Sequence, residues 1–432
     1  MTRGILTTLA FAGLLAGARA QDPAVAYRRA TIETVGKAGR LENATLVVRG
    51  DKIVAVGVNA EVPDDAKVID AAGKTILPGF IEPYRVFGAP AQGTGQGFTI
   101  IGGNIVPIGG GGDDGGGSFT KVADTLNPYD RDYRLPLRSG ITILNHAPPG
   151  YGQTAVLGLT PDKPDAMLKQ ADGLLTVVVT NSPAALDRLR QGLEGAAKIR
   201  NPAPTGAASP MGTSASSSGS GGSGGTPPSG GQAPMGSGTP MTTTPPATQS
   251  PLQKLWLDVY DGKQPILTFV QNPTAVAHVV KLADKYKGVK WALAGAPATY
   301  VEAIDKLKGR GFRALVRPGV DRMPFTRDRF NAPRMLHEAG LEVCFTQIGT
   351  PPAETPDMPL FNAAMAIKGG LPRQVALEAL TIRPATLLGM EKTLGSLEEG
   401  KAATFVVFEG DPFAPNSRLR QAVVDGRTVH EN

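Results

Sequence analysis

The sequence predicts a mixed α/β chain: parallel strand-helix units fill its middle, and a β-rich unit is assembled from its two ends. Three observations carry this. Between residues 77 and 389, short apolar runs alternate with stretches of helical periodicity, the order expected of β/α units that close into a barrel or form a doubly wound sheet. Both chain ends carry short strand-like runs separated by turn residues. Length agrees, because setting aside a leader and a polar insert leaves about 360 residues, room for a barrel of roughly 250 residues and a small sheet unit.

Taken in order, the chain opens with Arg3, a largely apolar stretch from Ile5 to Ala16, and the small-residue site Ala18-Arg19-Ala20. This pattern predicts an export signal over residues 1–20, cleaved near Ala20, with a periplasmic or secreted destination. The stretch is too short to cross a bilayer, and no later run predicts a transmembrane segment. Removing it takes away Arg3 and Arg19 and lowers the formal charge from +6 to +4. The remaining Lys and Arg form no basic run with interleaved aromatics, so no nucleic-acid partner is predicted. A single cysteine, Cys344, excludes an internal disulfide framework, and stability must come from an apolar core.

The first β-rich unit covers residues 21–76. Ala44 to Val48, the turn Gly50-Asp51-Lys52, Ile53 to Gly57 and Lys67 to Asp70 have the spacing of an antiparallel sheet. Residues 390–432 repeat the texture with Thr404 to Phe408, the turn Gly410-Asp411-Pro412 and Ala422 to Val429. Distant ends of like texture predict one composite unit, with residues 77–389 inserted between them.

Within the insert, strands are predicted at Ile76 to Ile81, Ile141 to Leu144, Leu175 to Val179, Ile266 to Val270, Trp291 to Leu293, Arg313 to Val316 and Leu341 to Phe345. Helical periodicity marks Thr274 to Tyr286, Tyr300 to Lys308 and Arg373 to Leu388. Two stretches interrupt the pattern. Residues 88–117 are Gly-rich and predict an irregular loop. Residues 201–250 hold 38 Gly, Pro, Ser or Thr among 50, with no charged or aromatic side chain, and predict a disordered polar linker. Motif matches in these stretches lack context. Gly221 to Gly225 fits G-x-S-x-G without the flanking strand and helix. Gly93 to Gly97 suggests a phosphate loop without the Lys-Ser/Thr pair, and Asp113-Asp114 has no spaced carboxylates for calcium.

Lys74 to Glu82, with Leu77-Pro78-Gly79-Phe80-Ile81-Glu82 at its centre, resembles the amidohydrolase superfamily, where Leu-Pro-Gly, an apolar residue and Ile-Asp lead from the sandwich into the first barrel strand. Leu46 to Gly57 followed by Val68 to Gly73 resembles that family's N-terminal sandwich. Arg383 to Gly389, then Leu394 to Lys401, resembles its closing helix and return. Asn127-Pro128 through Ile143, with Pro148-Pro149-Gly150, is similar to the second-strand region of the imidazolonepropionase-related branch, and Ala298 to Val316 to a later strand-helix-strand unit. The resemblance implies a TIM-type (β/α)8 barrel, regular or distorted, plus a β-sandwich formed by residues 21–76 and 390–432.

It also implies zinc or another divalent metal at the strand ends, held by a His-x-His, further histidines and a terminal Asp, so that bound water is activated and a carboxylate takes its proton. Carried onto this chain, the His-x-His falls on Tyr84-Arg85-Val86, a middle-strand histidine on Phe269 and the terminal Asp on Gln347. Valine and phenylalanine offer no donor, neutral tyrosine is a poor ligand and glutamine takes no proton. No metal or other cofactor is therefore predicted. Glu82 and His146 are the two donors left near strand ends, fewer than the usual three protein ligands of catalytic zinc. His278 and His337 fall within helical periodicity, and His430 near the C-terminus. Cys344 sits in an apolar run that suits a buried small hydrophobe better than a nucleophile. Asn43-Ala44-Thr45 has the N-glycosylation pattern, which matters only in a eukaryotic secretory host.

Three functions compete. One is an exported amidohydrolase-like pseudoenzyme, alone or oligomerised with an active paralogue. Another is an active amidohydrolase on non-peptide carbon-nitrogen bonds, its site rearranged around Glu82 and His146. The third is an envelope binding or structural module tethered by the linker.

Overall fold

The structure, a computed structural model, describes residues 23–86, 97–101, 104–108, 119–148, 150–179, 183–202, 249–323, 326–347 and 359–432. The proposed signal, the G-x-S-x-G match, Asp113-Asp114 and nearly all of the linker lie outside the described residues.

Five strands from the N-terminal side, Ala24–Glu33, Arg40–Arg49, Lys52–Gly57, Lys67–Asp70 and Lys74–Pro78, share one eight-stranded sheet with Phe405–Glu409, Arg418–Val424 and Arg427–Glu431. The join is antiparallel, with Phe405 opposite Pro78 and Glu409 opposite Lys74. Turn chemistry fixes the last hairpin: Asp425 and Gly426 both have positive φ, 48° and 73°, as a two-residue turn between right-twisted strands requires. Tyr27, Ile32, Leu46, Ile76, Phe405 and Val407 form a core on one face. On the other, Val406, Phe408 and Leu419 join the large core of the β/α unit.

The chain leaves this sheet at Gly79. The single run read from Ile76 to Ile81 is two strands, Lys74–Pro78 in the outer sheet and Phe80–Arg85 beside Ile141–His146. A Cβ at Gly79 would lie 2.0 Å from Thr142 Oγ1, so the crossing needs a residue without a side chain.

Phe80–Arg85 and Ile141–His146 run parallel, as do Leu175–Val179, Ile266–Val270, Trp291–Gly295, Arg313–Val316 and Glu342–Phe345 in succession. Their alternate side chains enter two cores. Val177, Ile266, Leu293, Val316 and Val343 face the helices, whereas Ile81, Ile143, Val178, Leu267, Phe269, Ala294, Leu315 and Cys344 form an inner cluster. Strands apolar on both faces are those of a parallel sheet covered on both sides.

The expectation of eight strands closing into a ring requires correction. Among the described residues the seven parallel strands form two sheets, not one closed ladder. The chain after Ile141–His146 turns back on itself. Ala155–Gly158 pairs antiparallel with that strand and Gly152–Gln153 antiparallel with Leu175–Val179, so the edges that would have met are taken. The stretch from 88 to 117 also differs from an irregular loop, since Gly97–Ile101 and Asn104–Ile108 pair as a hairpin. The helix read over Arg373 to Leu388 breaks at Thr381, whose ψ of −85° is not helical, giving Arg373–Leu380 and Ile382–Leu387. Likewise Tyr300 to Lys308 resolves into parts of two short helices, Pro297–Glu302 and Ile304–Leu307.

Candidate functional site

The polar residues of the strand ends gather around Glu82. Its strand brings the side chain into the protein, where it is 2% exposed. Oε1 accepts from Thr346 Oγ1 at 2.5 Å and from the Tyr84 backbone N–H at 3.3 Å, and Oε2 accepts from the Gln347 backbone N–H at 3.0 Å. Burial pushes the carboxyl up to about 7, against the Thr346 hydroxyl, the Arg85 guanidinium and the two backbone donors, which favour the anion. Arg85 Nη1 donates to Gln347 Oε1 at 3.3 Å, and burial draws its guanidinium down from the ordinary arginine range. Gln347 Nε2 is buried without a partner among the described residues.

Tyr84 and Phe269 meet beside this network. Their ring centroids are 4.6 Å apart at 60°, a separation at which aromatic pairs attract beyond simple burial. Both rings belong to the inner apolar cluster, with Val86 packed against it. The Tyr84 hydroxyl donates to the Pro148 carbonyl at 3.4 Å, and burial raises its phenol well above the usual range.

His146, next along the neighbouring strand, pairs in register with Arg85. Its Nδ1 lies 2.8 Å from the Tyr133 hydroxyl, and burial pushes the imidazole down to about 4, so it is neutral at pH 7. Asn145 points inward beside it: Nδ2 donates to the Pro83 carbonyl at 2.9 Å, while Oδ1 is buried without a partner among the described residues.

Glu82, Tyr84, Phe269 and Gln347 are thus brought together, with Val86 at the margin and His146 turned to Tyr133. His278 and His337 lie on the helices Pro273–Lys285 and Ala332–Glu338, and His430 on the strand Arg427–Glu431. Cys344 is fully buried in the inner cluster, its thiol pushed up to about 12 by burial, which makes it unreactive. Among the described residues no group of three or more His, Cys, Asp or Glu side chains is placed to hold a metal ion. Thr346 and Arg85 were not singled out by the sequence. The one signal for them was adjacency to Gln347 and Tyr84.

Comparison with known proteins gives the same direction from both chain and fold. Residues 350–430 match the model of an amidohydrolase family. An imidazolonepropionase from Syntrophobacter fumaroxidans is 32% identical over 120 residues, covering 26% of this chain and 28% of that protein. The amidohydrolase tasK of Hapsidospora irregularis is 31% identical over 96 residues, 22% of this chain and 10% of its own. The matched segments therefore span under a third of these relatives. Among solved structures, an amidohydrolase from Thermotoga maritima MSB8 superposes with a TM-score of 0.69 at 18% identity, covering 94% of this chain and all of that one. Phenylurea hydrolase B superposes at 0.51 with 15% identity, covering 94% of this chain and 96% of its own. At these identities the likeness is one of fold. Among the described residues no helix is long and apolar enough to cross a membrane.

Proposed function

Because the chain belongs to the amidohydrolase superfamily, we propose that it is an exported member that keeps the family scaffold and has given up metal-dependent hydrolysis. The Tyr84–Phe269 ring pair carries the reading. In the correspondence read from the sequence these two residues stand where histidines would grip the metal, with Val86 at a third such position and Gln347 at that of the terminal Asp. The rings pack at 4.6 Å within the apolar cluster, so their space is spent on packing.

The remaining donors do not fit a divalent ion. The oxygens of Glu82 already accept from Thr346, Tyr84 and Gln347, and the Nδ1 of His146 is engaged with Tyr133. No metal-activated hydrolytic step can be written through these groups, since that chemistry needs both the ion and a base.

On this reading the two parallel sheets are an opened (β/α)8 barrel, and the eight-stranded sheet is the family's β-sandwich. The signal read over residues 1–20 makes the protein periplasmic or secreted, and a catalytically intact paralogue is a natural partner for such a scaffold.

Elemental analysis of the full chain, purified without chelator and then challenged with zinc, iron and manganese, tests the reading. The expected content is well below one ion per chain. One tightly held ion per chain would overturn it.

A second reading draws on Glu82, a buried carboxyl poised near neutrality, as a general acid-base group is. It describes an active amidohydrolase on non-peptide carbon-nitrogen bonds. Hydrolysis of lactam, imide or acyl-amino-acid substrates, abolished by Glu82→Gln and by His146→Ala, would favour it over the scaffold.

A further inference from the structure

The strands that begin and end the parallel series, Phe80–Arg85 and Glu342–Phe345, lie side by side without a strand ladder between them among the described residues. Side-chain bonding spans the gap instead. Glu82 takes the Thr346 hydroxyl on Oε1 and the Gln347 amide on Oε2, Thr346 Oγ1 also lies 3.4 Å from the Tyr84 carbonyl, and Arg85 reaches Gln347 Oε1. We propose that Glu82 is a proton-binding staple across this seam, and that loss of its proton makes the seam open more readily.

Thr346 allows the staple to hold in either protonation state. When the carboxyl is ionised, the Thr346 hydroxyl donates to Oε1. When Oε1 carries the proton, it donates to Thr346 Oγ1, and the hydroxyl hydrogen turns to the Tyr84 carbonyl, already within 3.4 Å. The Gln347 amide donates to Oε2 in both. The states differ in charge. The anion is held away from water at an energetic cost that opening relieves, whereas the neutral acid gains little from water.

The other groups near the seam whose values burial displaces keep their charge state between pH 5 and 8. On the same strand Arg85 stays a cation and Tyr84, raised by burial, a phenol. On the neighbouring strand His146, pushed down to about 4, stays neutral. On the closing strand Cys344, pushed up to about 12, stays a thiol. On the helix Ile382–Leu387, which packs on both strands, Arg383 is paired with Glu378 at 2.9 Å. Of the groups whose values burial displaces, Glu82 is the one that changes.

With the closed-state value at about 7 and the ordinary one at 4.5, the opening constant should rise about tenfold per pH unit in that interval and level off above it. Hydrogen exchange of the Gln347 amide in the full-length protein reads this directly, after correction for the intrinsic base-catalysed rate. From pH 5 to pH 8 its protection is expected to fall by roughly two orders of magnitude. The fall should persist at low urea with little urea dependence, because the opening is local. Glu82→Gln, which imitates the protonated acid, should abolish the pH slope. A slope unchanged in Glu82→Gln would overturn the proposal. So would a flat slope in the wild-type protein, or exchange at Gln347 as urea-dependent as that of the Leu293 ladder amide, and these two need no variant to fold.

Discussion

Substituting Glu82 by Gln should change how the stability of the whole protein depends on pH. The carboxyl is buried and raised from 4.5 to about 7. Between these values the unfolded chain has lost the proton while the folded chain still holds it, so folding is linked to proton uptake and stability falls as pH rises. A displacement of that size corresponds to about 3 kcal/mol, fully expressed above pH 7 and absent below pH 4.5. His146 works in the opposite sense. Its folded value is pushed down to about 4 from 6.5, so its contribution is intact above 6.5 and is lost as pH falls through the interval towards 4. The two slopes oppose one another between about pH 4.5 and 6.5, and the wild-type curve alone hides both. The difference between wild type and Glu82→Gln removes His146 and every other shared group. Urea unfolding of both proteins at steps from pH 4.5 to 8.5 should show wild type losing about 3 kcal/mol relative to the variant. Gln retains a carbonyl for the Gln347 amide and an N–H for Thr346, so the variant should fold. A difference that is flat with pH, or that grows in favour of wild type towards high pH, would refute the reasoning.

Two further outcomes follow from single contacts. Gly79→Ala should destabilise by about 2 kcal/mol, because the new methyl meets the buried Thr142 at 2.0 Å; adding Thr142→Ala should recover at least about 1 kcal/mol in a double-mutant cycle, and strict additivity would show that the crossing tolerates a side chain. NMR titration of His146 should find a neutral imidazole at pH 6 that protonates near pH 4, and a midpoint at or above 6.5 would mean that its burial against Tyr133 is not maintained in solution.

Much of the parallel unit was readable in the sequence. Leu175–Val179 and Ile266–Val270 are strands with the ends their apolar runs predicted, and the helix read at Thr274 to Tyr286 is Pro273–Lys285, capped by Asn272. These elements are local: period, cap and proline lie within a few residues of one another. The division at Gly79 was not readable, because an apolar run gives no sign that its halves belong to different sheets. The reason is a contact with Thr142, far along the chain. The antiparallel strand Ala155–Gly158 was missed for a related cause. All four of its residues are buried, so it lacks the polar-apolar alternation that marks a strand. At the site, Glu82, Tyr84, Phe269 and Gln347 were marked by their place in a family pattern. Thr346 was not, since its role depends on a bond across 264 residues.

The four family positions also bear on one another through packing. Tyr84 and Phe269 touch, Val86 lies against the same cluster, and the backbone of Gln347 is tied to Glu82. An imidazole introduced singly at Phe269 would enter an apolar cluster with no second ligand, and a buried polar group without a partner costs about 1 to 3 kcal/mol. An aspartate at Gln347 alone would put a second carboxyl beside Glu82, and like charges there raise one another's protonation. Each single step toward a metal site would thus be unfavourable by itself, and an ion that could offset the cost would enter only after several ligands were in place. The four positions thus form one packing arrangement, with the ring pair in the inner apolar cluster and Glu82 bonded across the seam to Thr346 and Gln347. Within it Glu82 has a hydrogen-bonding partner on both oxygens, whereas Asn145 Oδ1 and Gln347 Nε2 are buried without one among the described residues.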